Sequence, residues 1–295
     1  MNLLKAAWLS SAIVFSGTAT AGIVLPQAGG GELLITRPAS RIVTLAPNLA
    51  EMLFAAGAGK QLIATVEYSN FPPPVRDLPR IGDAFRFDLE RIVALEPDLV
   101  IAWESGNPTA ALDRLESLGL KVWRTEIRQP GDIAGLLEAM ARAAGLAQGP
   151  VPAAAAVREQ LDRIIAGHHG KAPVSYFYQV SAQPLFTLNG EHLVSQGLRL
   201  CGGVNVFEGE PVLAPQVTRE AVLVADPAVL IAPVLPDEDD PLDHWRTWPR
   251  LSAVRNKAFV YLPADEISRA TPRFLDSLDT ACKLLQGLRG QKTDG

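Results

Sequence analysis

One motif occurs twice in this chain, once in each half, and it limits the folds open to it. The first copy runs from Asp88 to Trp103 as DLERIVALEPDLVIAW, the second from Thr218 to Pro233 as TREAVLVADPAVLIAP. Each is a short amphipathic segment, then an acidic residue and a proline, then a run of β-formers. Proline ends the helix, and an unbroken Val/Leu/Ile run suits a strand buried on both faces. Glu90 and Glu220 sit at the same place in the two copies, each seven residues before its proline. A helix–Pro–strand unit repeated once per half implies two quasi-equivalent lobes, each presenting one carboxylate. Such a pair suits ligand binding between lobes and recognition by a two-fold partner.

The rest of the chain alternates strand and helix across short connections. Strands are expected at 41–45, 62–66, 99–102 and 121–125, and helices at 48–56, 89–95, 110–118 and 132–144, with Asn48 as N-cap of the first and Glu51 as its capping-box partner. A long Ala/Leu/Ile-rich helix at 151–166 has no strand attached. Alternation then resumes through 174–180, 192–200, 219–224, 229–232, 259–262 and 272–288. Strands alternating with helices mean parallel sheets with helices on their faces. The expected fold is therefore α/β, two Rossmann-like lobes with central parallel sheets joined by one long connector helix. Residues 22–147 form the first lobe, 148–169 the connector, 170–289 the second lobe, and 290–295 a frayed tail. A helical connector is stiffer than a Gly/Ser linker, so lobe closure should be small.

Residues 1–21 read as a cleaved secretory signal. Lys5 supplies the positive start, residues 6–15 the apolar stretch, and Ala19-Thr20-Ala21 the small-x-small cleavage site. The stretch is far shorter than the roughly 20 residues that span a bilayer. No cysteine follows the cleavage site, so the expectation is a soluble periplasmic protein. Lys5 is the only charge removed, which takes the formal charge from −5 to −6. That mildly acidic balance leaves no electrostatic footprint for nucleic acid.

Cys201 and Cys282 lie outside any C-x-x-C spacing. In an oxidising compartment they read as one disulfide closing a loop of about 80 residues, the alternative being two buried thiols. No H-E-x-x-H, G-x-S-x-G, P-loop or G-x-G-x-x-G motif is present. The Gly29–Gly31 run reads as a turn and Gly202-Gly203 as a helix C-cap. His168 and His169 end the connector helix, where a cation meets the helix dipole favourably, a better reading than metal ligation. The nearest approach to a hydrolytic set is His192 with Glu191 and Ser195, on an expected helix at poor geometry for a triad.

Aromatic and polar residues gather instead at expected strand ends, where open α/β sheets bind ligands. Tyr68 follows the second strand, Phe85 and Phe87 precede the Glu90 helix, and Trp103 ends the strand of the first repeat. Tyr68, flanked by polar residues, favours ligand contact, whereas Trp103 reads equally as ligand contact or lobe core. After the last strand, the stretch Asp265, Glu266, Ile267, Ser268, Arg269 and on to Arg273 could hydrogen-bond amide or phosphate groups, or serve surface pairing and helix capping.

The segments Arg41–Asn48 (RIVTLAPN), Tyr68–Pro73 (YSNFPP), Leu89–Trp103, Cys201–Asn205 (CGGVN) and Arg269–Arg273 (RATPR) together resemble the periplasmic vitamin B12 (cobalamin) binding proteins of the BtuF type. These are substrate-binding components of ABC importers in the helical-backbone class, and the resemblance spans about residues 40–289. It implies a non-catalytic, monomeric receptor with no intrinsic cofactor and cobalamin as transported ligand. It implies that Tyr68 contacts the corrinoid with Asp265–Arg269 on its other side, and that Glu90 and Glu220 salt-bridge to arginines of two permease subunits. It also implies a Cys201–Cys282 disulfide. Tryptophans that flank the ligand in the family correspond here to about Ala84 or Phe85 and to Ala214. A pocket without those rings would be wider and would admit another corrinoid, a haem or a ferric siderophore, with Tyr68 as a phenolate ligand to haem iron. Readings of another class are an extracytoplasmic hydrolase and a sensor that kept the fold without transport.

Overall fold

The computed structural model describes residues 22–146, 149–168 and 170–290. The expectations for residues 1–21, for His169 and for the tail from 291 lie outside the described residues.

The chain opens with a hairpin, β1 (Ile23–Pro26) and β2 (Glu32–Ile35), paired antiparallel around the Gly29–Gly31 turn. The hairpin backs onto the edge of the first sheet, where Trp123 Nε1 donates to the Pro26 carbonyl at 2.8 Å. That sheet follows as β3 (Ile42–Thr44), α1 (Pro47–Ala55), β4 (Leu62–Ala64), α2 (Leu89–Ala94), β5 (Leu99–Trp103), α3 (Thr109–Ser117), β6 (Val122–Thr125) and α4 (Asp132–Ala143). Its strand order is β4-β3-β5-β6, all parallel.

Helix α5 (Pro152–His168) leads to the second sheet: β7 (Val174–Tyr178), a small β8–β9 hairpin (Ser181–Ala182, Leu185–Phe186), α6 (Leu193–Leu200), β10 (Gly203–Asn205), α7 (Arg219–Ala225), β11 (Val229–Val234), α8 (Ser252–Arg255), β12 (Phe259–Pro263), α9 (Ala264–Ile267) and α10 (Pro272–Gly290). The order β10-β7-β11-β12 is again all parallel. Taking each sheet's strands in chain order, both read 2-1-3-4, so the two lobes share one topology. The repeated motif supplies the third strand of each, β5 and β11, and the helix before it, α2 and α7.

The two copies also agree in their turns. Asp88 Oδ1 accepts the Arg91 N–H at 2.9 Å and Thr218 Oγ1 accepts the Ala221 N–H at 3.1 Å, so each helix has a side-chain N-cap. The acidic residue before each proline, Glu96 (φ 44°) or Asp226 (φ 40°), turns the chain through the left-handed region. After α6, Gly202 is also left-handed (φ 75°), a conformation glycine takes without strain just past a helix end.

One expectation needs correcting. Asn48 is not an N-cap: α1 begins at Pro47, with Ala46 as the capping residue and no side-chain cap bond. Proline takes the first helical position, where its missing N–H costs nothing. Glu51 is consequently no capping-box partner, and its side chain turns inward.

Apolar packing joins the lobes. One continuous cluster runs from Leu49, Met52 and Trp123 of the first lobe through Val157 and Ile164 of α5 to Tyr176, Leu198, Phe274 and Leu278 of the second. Helix α5 is tied on both sides: Arg158 makes a bidentate pair with Glu138 of α4, and Gln160 donates to Asp276 of α10 at 2.8 Å. His168 ends α5 in a buried position where desolvation lowers its pKa, so it is neutral at neutral pH and supplies no cation to the helix dipole. Cys201 and Cys282 form a disulfide with Cα atoms 5.4 Å apart, fastening α6 to α10.

Candidate functional site

Every parallel strand points its carboxyl end toward one cleft between the lobes. From the first sheet come Asn48 after β3, Tyr68 and Asn70 after β4, Trp103 and Ser105 at β5, and Glu126 and Arg128 after β6. From the second come His192, Leu213 and Ala214, Leu235, and the Asp265–Ala270 region after β12. The cavity holds about 650 Å³ and is mainly apolar, with Leu49, Ile127, Leu136, Leu193 and Ile267 in its walls. An apolar cleft with a few convergent polar groups is the usual form of a small-molecule site.

Tyr68 stands out from this wall. Its side chain is 78% exposed and its backbone is left-handed (φ 64°), a strained conformation for a bulky residue. The strain is held from the opposite lobe, where Arg269 Nη2 donates to the Tyr68 carbonyl at 3.1 Å. Trp103 is half-buried, with its backbone N–H fixed by Asn107 Oδ1 at 2.7 Å. Gly106 lies against the indole so closely that a Cβ would come within 1.9 Å of it. Trp103 therefore does two things, packing against the lobe core and lining the cleft.

The stretch after β12 joins the lobes. Arg269 Nη1 donates to Asn70 Oδ1 at 2.6 Å, Nη2 also donates to Asp265 Oδ1 at 2.7 Å, and Asn70 Nδ2 closes the ring on Asp265 Oδ2 at 2.7 Å. Burial, the leading influence, lowers the Arg269 pKa against the nearby Asp265, and the guanidinium stays charged. Behind it, Arg273 makes a bidentate pair with buried Glu51 at 2.8 and 2.6 Å and stacks on the Phe71 ring at 4.1 Å. The hydrogen bond to Glu51 raises the Arg273 pKa. Both arginines thus bridge between lobes.

Of the residues singled out in the sequence, Tyr68, Trp103, Asp265, Ile267, Ser268 and Arg269 meet at the cleft. Phe85 and Glu266 do not line it. Phe85 sits 65% exposed on the turn held by Asp83, and Glu266 faces Arg273 at 4.0 Å. Glu90 and Glu220 are both exposed, in the first turns of α2 and α7, and neither pairs with a described residue. Arg128, His192 and Leu213 were not singled out as cleft residues; their signal was position, since Arg128 and Leu213 follow β6 and β10 of the parallel sheets and His192 opens α6 after the β8–β9 hairpin. His192 and Ser195 form no nucleophile–base pair. The His192 Nδ1 accepts the Val194 N–H at 3.2 Å as the N-cap of α6, and buried Ser195 Oγ accepts from Asn205 at 3.1 Å.

The model of the family described as periplasmic binding protein matches residues 42–266, which include both parallel sheets and most of the cleft lining. The chain belongs to the periplasmic binding proteins. As a periplasmic binding protein it is similar to the vitamin B12-binding protein of Vibrio cholerae, at 37% identity over 250 residues, 84% of this chain and 90% of the relative. Similarity to the vitamin B12-binding protein of Vibrio parahaemolyticus is 33% over 271 residues, 92% of this chain and 98% of the relative. Among solved structures, the periplasmic vitamin B12 binding protein BtuF of Vibrio cholerae superposes with a TM-score of 0.78 at 36% identity, covering 86% of this chain and 99% of that one. The periplasmic haem-binding protein RhuT of Roseiflexus shares the fold, with a TM-score of 0.71 at 22% identity over 84% and 98% of the two chains. Among the described residues no helix is long and apolar enough to cross a membrane.

Proposed function

We propose that this protein, after removal of residues 1–21, captures cobalamin or a related corrinoid between its lobes in the periplasm and delivers it to an ABC permease. One observation carries the reading: the apolar cleft at the strand ends, bearing Tyr68 and Trp103, belongs to a chain more than one-third identical to a vitamin B12-binding protein across nine-tenths of that relative. Aromatic faces suit a large, flat macrocycle with an apolar body and a polar rim. Exposed Glu90 and Glu220, held in the first turns of equivalent helices, are the groups that would meet cationic side chains on two permease subunits. The protein acts as a monomer in this reading, with the ligand as its cargo and no resident cofactor.

A haem receptor is the second reading, favoured by the Tyr68 phenol standing free in the cleft with no hydrogen-bond partner among the described residues. Titration of the mature protein with cyanocobalamin, and separately with hemin, distinguishes them. Saturable one-to-one cobalamin binding, weakened by Tyr68→Ala, is the expected result. A tyrosinate-type hemin spectrum without cobalamin heat would replace the corrinoid reading with the haem one.

A further inference from the structure

The cleft is polar at two places, and the charges there are used differently. At the Asp265 end, Arg269 spends its guanidinium on Asn70, Asp265 and the Tyr68 carbonyl, so the donors and acceptors answer one another. At the other end stand Arg128, just after β6, and His192, across the cleft in the second lobe. The Arg128 Nε lies 3.4 Å from Glu126 Oε1, a long contact, while Glu126 Oε2 is occupied by the Ser105 N–H at 2.9 Å. The remaining neighbour, Asp132, accepts the backbone N–H groups of Arg128 and Gln129 at 3.1 and 2.8 Å, which fixes the turn that carries Arg128. Neither terminal nitrogen of the Arg128 guanidinium donates to a described residue.

His192 completes the arrangement from the other lobe. Because its Nδ1 accepts the Val194 N–H, the neutral ring carries its proton on Nε2, and no described residue accepts that proton. Burial, with Arg128 nearby, lowers the His192 pKa to about 4, so the ring stays a neutral donor at neutral pH. The two terminal guanidinium nitrogens of Arg128 and the His192 Nε2–H, without acceptors among the described residues and on opposite walls of one cavity, make an arrangement that an anionic oxygen completes.

We propose that Arg128 and His192 form an anion subsite spanning the two lobes, which takes the phosphodiester of a complete corrinoid's nucleotide loop. The inference rests on the corrinoid reading above and adds to it a basis for selecting the complete ligand over its precursor. Cobinamide carries the same ring and amides without the nucleotide loop, so it has nothing to place at this end of the cleft.

The test compares cyanocobalamin with dicyanocobinamide by calorimetry on the mature protein and on Arg128→Gln, Arg128→Lys and His192→Asn. Asparagine keeps the α6 N-cap but is too short to reach the cleft. A charge-assisted hydrogen bond lost from a binding site costs about tenfold or more in affinity. Arg128→Gln should weaken cobalamin by that factor and leave cobinamide unchanged, with Arg128→Lys restoring part of the loss and His192→Asn acting in the same direction. Equal weakening of both corrinoids, or no change in either, overturns the subsite while leaving the receptor reading intact. Failure of the unmodified protein to bind either corrinoid overturns both.

Discussion

Replacing Arg273 by methionine should be among the most damaging single changes available to this protein. Glu51 is 2% exposed and its two carboxylate oxygens are both held by Arg273, at 2.8 and 2.6 Å, across 222 residues of sequence. The Arg273→Met variant keeps most of the apolar stem and strands the carboxylate in the interior. Removing one partner of a buried pair costs about 3–5 kcal/mol, because the remaining charge is no longer compensated. Against a total stability of about 5–15 kcal/mol this is a large fraction. It corresponds to a fall on the order of 10 °C in melting temperature for a chain of this size. Urea unfolding followed by circular dichroism reads the change as a lower midpoint at unchanged slope. The double variant Glu51→Met/Arg273→Met removes both charges and should recover most of the loss, since a buried pair replaced by apolar groups is often neutral. A loss below about 1 kcal/mol in Arg273→Met, the range of an exposed pair, would refute the claim that this contact holds the lobes together.

Three further outcomes follow from the same structure. The Cys201→Ser/Cys282→Ser variant, or reduction of the parent, should lose about 2–5 kcal/mol in chemical denaturation, as expected for a bridge closing a loop this long. Glu90→Ala/Glu220→Ala should bind ligand as the parent does and fail to support uptake in cells; full uptake would sink the docking role. His192 contributes stability that is present above its unfolded pKa of about 6.5 and is lost as pH falls toward the folded value of about 4. The unfolding midpoint should therefore decline between those pH values, and His192→Asn should flatten that part of the profile.

Much of the architecture could be read from the chain because strands such as β5 and β11 are apolar runs that begin just after an acidic-Pro break. The repeated unit was visible since both copies keep the acidic-Pro break, and the structure shows why: Glu96 and Asp226 turn the chain left-handed at equivalent points. The Gly29–Gly31 turn was legible but the β1–β2 pairing around it was not, because four-residue strands, one ending in Pro26, carry too little periodicity to separate from a loop. Strand β10, three residues long, was hidden behind the Gly202-Gly203 signal. The cleft was legible only in part. Tyr68 and Trp103 announce themselves as aromatics at strand ends, but the partners of Arg269 and Arg273 lie 199 and 222 residues away, and no local pattern encodes such pairings. The same holds for Glu51, which looks like a capping residue until Pro47 moves the helix start and turns the carboxylate inward.

The core that passes without interruption from one lobe through α5 to the other has a consequence for how such a receptor can be read from outside. Two bodies joined by a hinge signal occupancy by changing the angle between them, and a transporter can sense that angle. If this shared core keeps the lobes at one spacing, the separation of Glu90 and Glu220 does not report whether the cleft is full or empty. A permease gripping both carboxylates would meet loaded and unloaded protein with equal ease. Discrimination would then depend on what the cleft's mouth presents once grasped, and empty receptors in excess would compete with full ones for the same dock.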